Sequence, residues 1–300
     1  MASRKRRLPV KVTGVLLLLV ILTMLTLFAG QTGLSDWWAG RAVTPAAGEL
    51  AVHFIDVGQG DAILIQAPAQ NVLIDGGPRG AGVDLASYLH QCGVNRLDLV
   101  VSTHPHDDHI GGLLEVLDKM PVDEVMDPAV AHTTQTFEKY LALIDEKNIR
   151  FTTARAGLSR DLGGGAVLSL LHPVAPQPDD GLNNCSVVLR LTFGRVSFLM
   201  TGDVEQAAER AILEREGRIR STVLKVAHHG SRSSSDSLFL DAVKPAVAVI
   251  CYGDNQYGVP HQETVQYLAE TGALIYSTFE HGTVMMITDG NTYTVHTGRP

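Results

Sequence analysis

The segment that most constrains this chain is a cluster of metal-ligand side chains behind an apolar run. Three histidines and two aspartates fall within His104-Pro-His106-Asp-Asp108-His109, directly after the strand-like stretch Leu97–Thr103. Such groups lose solvation energy when gathered at a strand end, unless a cation lies among them. Alternate residues of an extended segment point the same way, so His104 and His106 can chelate one ion while Asp108 and His109 turn toward a second. The segment therefore predicts a site for two ions.

Two further ligand-like positions follow apolar runs later in the chain. Asp203 ends the segment Thr201-Gly-Asp, and His228 and His229 stand in Lys225-Val-Ala-His-His-Gly-Ser. Carboxylate and imidazole donors of this kind suit Zn or Mn. A carboxylate at Asp203 is able to bridge two ions, which would lower the pKa of a shared water and hold the attacked group. We expect these residues to meet the first cluster.

The apolar runs predict an α/β protein built from two mixed sheets. Three strands separated by glycine-bearing turns come first and read as a meander, and Gly194-Arg195 joins two later strands as a hairpin. Strands and helical patterns then alternate to the C-terminus, which favours two sheets packed together and covered by helices. No strong linker divides the region, so we take residues 49–300 as one domain. The predicted strands are Ala51–Val57, Ala62–Gln66, Asn71–Asp75, Leu97–Thr103, Ser186–Phe193, Val196–Thr201, Thr222–Ala227, Ala246–Tyr252, Leu274–Thr278, Thr283–Thr288 and Thr292–His296.

The N-terminal segment predicts a membrane anchor. Residues 1–11 carry five Lys and Arg, and residues 12–29 form an uncharged apolar run. Eighteen helical residues span roughly 27 Å, close to the thickness of a bilayer core. A cleaved signal peptide, which would give a secreted protein, is the alternative, but Leu27-Phe28-Ala29 fits a cleavage site poorly. A buried soluble helix is a third interpretation. We expect a cytoplasmic N-terminus, one transmembrane helix, a linker over residues 30–48 and an extracytoplasmic domain.

The charge balance argues against a general affinity for nucleic acid. Residues 1–30 hold five of the 24 Lys and Arg and no acidic residue, which leaves 19 basic against 32 acidic residues and a net charge of −13. Such a surface does not attract polyanions. DNA remains a candidate partner only if bound metals and a local phosphate-binding patch hold it.

The ligand pattern resembles the metallo-β-lactamase superfamily. The resemblance rests on the His104–His109 motif, on Asp75 in Leu-Ile-Asp-Gly-Gly before it, and on Asp203 and His228 after it. Three further segments are similar to the C-terminal domain of the ComEC competence proteins, which take up DNA: residues 53–62, 183–189 and 227–231. The resemblance covers about residues 50–289. It implies a four-layered αββα fold, a dinuclear metal centre and hydrolysis, with a phosphodiester as the leading substrate class.

The resemblance also implies a ligand set. It places His104 and His106 at the first ion, Asp203 between the two ions, and the remaining ligands Asp108, His109 and His228 at the second. Asp75 would orient the cluster from behind the ligands. Many members have one more histidine where this chain has Asn183-Asn184, and an amide at Asn184 is a weak ligand. The first ion is therefore expected to bind more weakly than the second.

The remaining site residues are assigned with less support from the motif. Where the ComEC pattern often has two histidines, this chain reads Tyr257-Gly-Val-Pro-His261, so only His261 remains as a ligand, an acid or a phosphate contact. We assign catalytic roles to Asp108, His229 and His261. Backbone donors, hydroxyls and one guanidinium predict phosphate contacts in the loop after His229, at Ser231, Arg232 and Ser233. The alternative is a Ser-rich loop that only caps the helix near Ser237.

Three functions compete on these grounds. The leading interpretation is an extracytoplasmic phosphodiesterase or nuclease related to DNA uptake. A lactonase or β-lactamase-like hydrolase of small carbonyl substrates is the second, and a non-catalytic, metal-stabilised binding or assembly module is the third. Residues 12–29 would attach any of the three to the membrane, and protein partners are unknown.

The anchor is tested by location in cells. We expect the protein to sediment with membranes, and a protease added to intact cells to degrade the part C-terminal to the anchor. Complete protection of that part would reverse the expected topology.

Overall fold

The computed structural model describes residues 45–176, 180–217 and 219–299. The predicted cytoplasmic segment, the anchor and most of the linker fall in residues 1–44 and lie outside the described residues. Within the described ranges, every helix is too short or too polar to cross a bilayer.

Among the described residues, the first sheet has eight strands. From edge to edge their order is β15-β14-β1-β2-β3-β4-β5-β6. Strands β1, β2 and β3 form the predicted antiparallel meander, whereas β3 to β6 run parallel. Strand β14, from near the C-terminus, adds to the meander by pairing with β1, with Met286 opposite Val52. The strands of this sheet are β1 (Leu50–Phe54), β2 (Ile63–Gln66), β3 (Asn71–Ile74), β4 (Leu99–Val101), β5 (Glu124–Asp127), β6 (Arg150–Thr153), β14 (Val284–Thr288) and β15 (Tyr293–Thr297).

The second sheet has seven strands within the described ranges, in the order β13-β12-β11-β10-β9-β8-β7. Strands β9 and β10 form the predicted hairpin around Gly194, and β10 to β13 run parallel. The two sheets thus share a plan, with antiparallel strands at one side and parallel strands at the other. The strands are β7 (Ser159–Gly163), β8 (Ala166–His172), β9 (Val188–Phe193), β10 (Val196–Met200), β11 (Val223–Lys225), β12 (Val247–Ile250) and β13 (Leu274–Ser277).

The helices cover the outer faces of both sheets. Side chains from the inner faces of the two sheets, such as Ile74 and Phe198, form one buried core. On the outer face of the second sheet, Leu224 packs with Ile212 and Phe239 from helices. On the outer face of the first sheet, the Tyr88 hydroxyl lies 2.6 Å from His53 Nδ1. The result is the four-layered helix–sheet–sheet–helix arrangement. The helices are α1 (Gly82–Gln91), α2 (Asp107–Ile110), α3 (Leu113–Lys119), α4 (Gln135–Glu146), α5 (Gln206–Glu216), α6 (Ser237–Val243), α7 (Gln262–Glu270) and α8 (Thr278–His281).

The sequence pattern assigned no elements to residues 120–185, but the structure contains β5, α4, β6, β7 and β8 there. Strand β6 lies at the edge of its sheet and is mostly exposed, and β7 is an edge strand with the polar sequence SRDLG. Edge strands need no apolar alternation because only part of one face is buried. The periodicity on which strand prediction depends is therefore weak in this region.

The parallel strands bring the predicted ligands to one edge of the sandwich. In the first sheet, Asp75 follows β3 and His104 lies just beyond β4. In the second sheet, Asp203 lies just beyond β10 and His229 beyond β11. Carboxyl ends of parallel strands meet at the same sheet edge, which is where open α/β sheets bind ligands.

Candidate metal centre

His104 and His106 form the first donor group. His104 is fully buried behind β4, and His106 is the N-cap of α2. Its Nδ1 lies 2.9 Å from His104 Nε2. Two nitrogens that share one ion with bonds of about 2.0–2.1 Å lie roughly 3.3 Å apart. The pair therefore has close to the spacing that one ion requires.

A second donor group consists of Asp108, His109 and His229, whose ligand atoms lie within 4.8 Å of one another. Asp203 lies between this group and the first. Its Oδ2 is 3.2 Å from His109 Nε2, 3.4 Å from His229 Nε2 and 4.0 Å from His104 Nε2. This central carboxylate has the position expected of a bridging ligand.

Two imidazole nitrogens that face the centre have no hydrogen-bond partner among the described residues. His229 Nδ1 donates to the Cys251 carbonyl at 2.8 Å, and His109 Nδ1 donates to Asp75 at 2.8 Å. These bonds leave Nε2 of both rings directed inward. Neither nitrogen has a hydrogen-bond partner among the described residues, although both side chains are buried. Buried polar atoms without partners are costly, so the residues present fit divalent cations well.

Asp75 fixes the orientation of the His109 ring through a hydrogen bond to its Nδ1. Its carboxylate accepts hydrogen bonds from the Thr103 backbone N–H and hydroxyl, both at 2.7 Å, as well as from His109. With these three donors, both oxygens of Asp75 are engaged away from the ion positions. A carboxylate that binds the second nitrogen of a ligand histidine fixes the ring and its tautomer.

The carboxylate of Asp203 and the imidazolium of His229 stabilise each other's charged form. Burial alone would raise the pKa of Asp203, but the His229 and His109 imidazoliums hold it well below its usual range. Burial alone would lower the pKa of His229, but Asp203, Asp108 and Asp61 raise it to about 10. A ligand histidine must be neutral at the binding nitrogen, so ion binding near neutral pH would release the proton of His229.

The structure places His229, and not His228, in the second donor group. The sequence pattern placed His228 among the ligands and gave His229 a catalytic role, but His229 is the one in the donor group. His228 Nε2 lies 4.0 Å from Asp203, and its Nδ1 faces Ser233 Oγ at 3.2 Å and Glu205 at 3.5 Å. Both histidines have left-handed backbone angles, so the tight turn directs consecutive side chains differently.

The structure engages the Asn184 side chain outside the two donor groups. Its amide accepts from the Glu205 backbone N–H at 3.0 Å and donates to the Asp180 carbonyl at 3.1 Å. Asn183 faces the site instead, with its amide nitrogen 3.5 Å from His228 Nε2. The short 3-10 helix Asn183–Cys185 turns neighbouring side chains in different directions, which the sequence pattern alone does not reveal.

The centre opens into a cleft of about 620 Å³. Ser231 and His261 line this cleft together with His132 and Tyr257. The other two predicted phosphate contacts, Arg232 and Ser233, do not line this cleft. Arg232 lines a neighbouring cleft between α5 and α7, and the Ser233 hydroxyl is engaged by His228 and Glu205.

A buried ion pair beside the centre was not predicted from the sequence. Lys225 is fully buried at the end of β11, and its ammonium contacts the Asp61 carboxylate and donates to the Gly202 carbonyl at 3.0 Å. It lies 3.7 Å from Asp203 Oδ1. Burial alone would lower the pKa of Lys225, but Asp61 and Asp203 raise it, so the ammonium stays charged. The sequence feature that could have revealed this ion pair is a lysine inside an otherwise apolar strand.

Comparison with known proteins agrees with this geometry. A family model described as the metallo-beta-lactamase superfamily matches residues 55–254. The chain belongs to this superfamily. The match includes every residue of both donor groups and Asp203, which lies between them.

The similar proteins of known name include competence proteins. The chain is 31% identical over 255 residues to ComE operon protein 3 of Bacillus subtilis, covering 78% of this chain and 32% of that protein. It is 30% identical over 262 residues to competence protein ComA of Neisseria gonorrhoeae, covering 84% and 35%. The chain thus spans about a third of the length of these relatives.

Solved structures share the fold at low sequence identity. The metallo-β-lactamase fold protein YhfI of Bacillus subtilis aligns with a TM-score of 0.50 at 14% identity, covering 78% of this chain and 98% of that one. The metallo hydrolase Igni18 of Ignicoccus hospitalis aligns with a TM-score of 0.50 at 18% identity, with the same coverage. At this identity the likeness establishes the fold alone.

The exchange of the two histidines is tested by metal affinity. We expect His229→Ala to weaken binding of the tighter ion by more than about 100-fold, the upper end found for residues that only support a ligand. His228→Ala should weaken it by less than about tenfold. Calorimetric titration of the metal-free proteins measures both, with thermal unfolding of each variant as the control for folding. A larger loss for His228→Ala would contradict the assignment.

Proposed function

We propose that this chain is a two-metal hydrolase of phosphodiesters. The observation that carries the proposal is the position of Asp203 between two groups of buried donors that open into one cleft. Two divalent ions, Zn or Mn, would supply an activated water there and neutralise charge on the attacked group. The first ion would be held by His104 and His106, the second by Asp108, His109 and His229.

The residues of the cleft support a reaction at a phosphate. Hydrolysis requires that a water oxygen bonds to phosphorus while the bond to the leaving oxygen breaks, and that a proton passes from the water to that oxygen. His261 is suited to donate a hydrogen bond to the leaving oxygen, while the proton itself passes from the water through solvent. Its Nδ1 accepts from the Arg232 backbone N–H at 3.2 Å, so the ring proton is on Nε2. The Ser231 hydroxyl, in the same cleft, is a donor for a phosphate oxygen.

Asp108 is placed at the ion and at the opening. Its Oδ2 lies 3.4 Å from His229 Nε2, while a third of its side chain is exposed to the cleft. One carboxylate oxygen can thus bind the second ion while the other orients the attacking water. The His229 imidazolium and His109 together hold the pKa of Asp108 below its usual value, against the effect of burial.

A role in DNA uptake outside the membrane is part of this proposal. Its support is the similarity to competence proteins and the apolar run over residues 12–29. The location test stated for the anchor applies here as well, because this role requires the domain to lie outside the membrane.

Replacement of Asp108 tests the activity. We expect Asp108→Ala to lower the turnover of bis-p-nitrophenyl phosphate with Mn or Zn by at least about 100-fold, the scale of losing one group that stabilises charge in a transition state. The fold should persist because Asp108 is partly exposed. Asp145→Ala, on the outer helix α4, is the matched control and should retain full activity.

The same assay separates the competing functions. Normal turnover by Asp108→Ala would overturn the metal-site assignment. Turnover of nitrocefin or a lactone, but not of the phosphodiester, would favour the carbonyl hydrolase. Failure of every substrate despite bound metal would favour a binding module.

A further inference from the structure

The cleft at the metal centre continues on its far side. A second cavity of about 670 Å³ lies beyond Asp108. Gln59, Asp107, Asp108 and Tyr257 line both cavities. Because they share these walls, the two cavities adjoin at Asp108 and form one groove beside the centre, so a phosphodiester bound at the centre would extend a substituent into each part.

Both parts of the groove are lined by carboxylates. Asp107 and Asp108 line both parts, and the exposed carboxylate of Asp254 lines only the part beyond the centre. The other part also contains the hydroxyl of Ser231 and the imidazole of His261. Among the described residues, neither part is lined by Lys or Arg. Arg232 lines a separate cleft, and so does Arg79, the residue after Pro78 of the far part.

The centre itself would carry only a small net positive charge. The carboxylates of the centre are those of Asp61, Asp75, Asp108 and Asp203, against the ammonium of Lys225. With two divalent ions bound, these groups would carry a net charge of one positive. A single phosphodiester neutralises that charge, and a second phosphate would find no counter-charge in the groove.

The far part of the groove offers contacts to an uncharged group. Tyr257 is 68% exposed and borders both cavities, and Gln59 presents an amide beside it. An exposed aromatic ring is a platform for a nucleobase or another planar group. These contacts favour a nucleoside in a position where Asp107 and Asp254 disfavour a phosphate.

On the basis of the phosphodiesterase function proposed above, we propose that this site selects substrates with a single phosphodiester, with a nucleoside or similar uncharged group beside Tyr257. Polynucleotides are disfavoured because their next phosphate would lie against Asp107 and Asp254. The repulsion acts between exposed charges, so it weakens as salt concentration rises.

The test compares chain lengths. We expect the thymidine dinucleotide TpT to be hydrolysed with a kcat/KM per bond on the order of tenfold higher than that of the octamer (dT)8 at low salt. The ratio should fall toward one in 0.5 M KCl. The variant Asp254→Lys should lower the ratio at low salt by roughly threefold or more, whereas Asp241→Lys, on the outer helix α6, should leave it unchanged.

The outcomes separate this inference from the function on which it rests. Equal or faster hydrolysis of (dT)8 at low salt would overturn the selection for a single phosphodiester while leaving the phosphodiesterase intact. A preference for TpT that neither salt nor Asp254→Lys changes would overturn the electrostatic cause. Absence of turnover for both substrates and for bis-p-nitrophenyl phosphate, in the metal-loaded protein, would overturn the proposed function and this inference with it.

Discussion

The site depends on one buried carboxylate that lies between imidazoles from both sheets. Asp203 comes from the second sheet, whereas His104 and His109, which lie near its Oδ2, come from the first. A lone buried carboxylate costs several kcal/mol of solvation energy. Asp203 is tolerated because cationic groups surround it, and these groups hold its pKa well below the usual value. The carboxylates and imidazoles that meet at this edge of the two sheets are also the side chains suited to bind divalent cations.

Lys225 makes this concentration of carboxylates compatible with folding. Its ammonium is fixed by Asp61 and by the Gly202 carbonyl, so it offsets part of the negative charge without entering the cleft. With two divalent ions bound, this ammonium would account for the one positive charge left at the centre. On the proposed function, stability and substrate choice would thus be linked through one ion pair, because the net charge of the centre would set how many phosphates it neutralises.

The sequence predicted the chemistry of the site better than its exact contacts. The His104–His109 segment and Asp203 could be recognised because ligand residues at this density after apolar strands are costly to bury unless they bind cations. The positions of His228 and His229 could not, since two consecutive left-handed residues decide which ring enters the centre. Asn183 and Asn184 present the same problem in a 3-10 turn. Lys225 was missed because its partner Asp61 is distant in sequence, and the polar edge strands β6 and β7 lacked the periodicity that marks buried strands.

We propose that the two donor groups form adjoining ion sites bridged by Asp203. Calorimetric titration of the metal-free chain with Zn or Mn at neutral pH, in buffers of different ionisation enthalpy, tests this most directly. We expect two ions per chain with unequal affinities, the tighter at Asp108, His109 and His229, and release of protons as the imidazolium of His229 is displaced. In Asp203→Asn both affinities should fall together. A single binding event, or two events that Asp203→Asn leaves unchanged, would contradict the bridged centre.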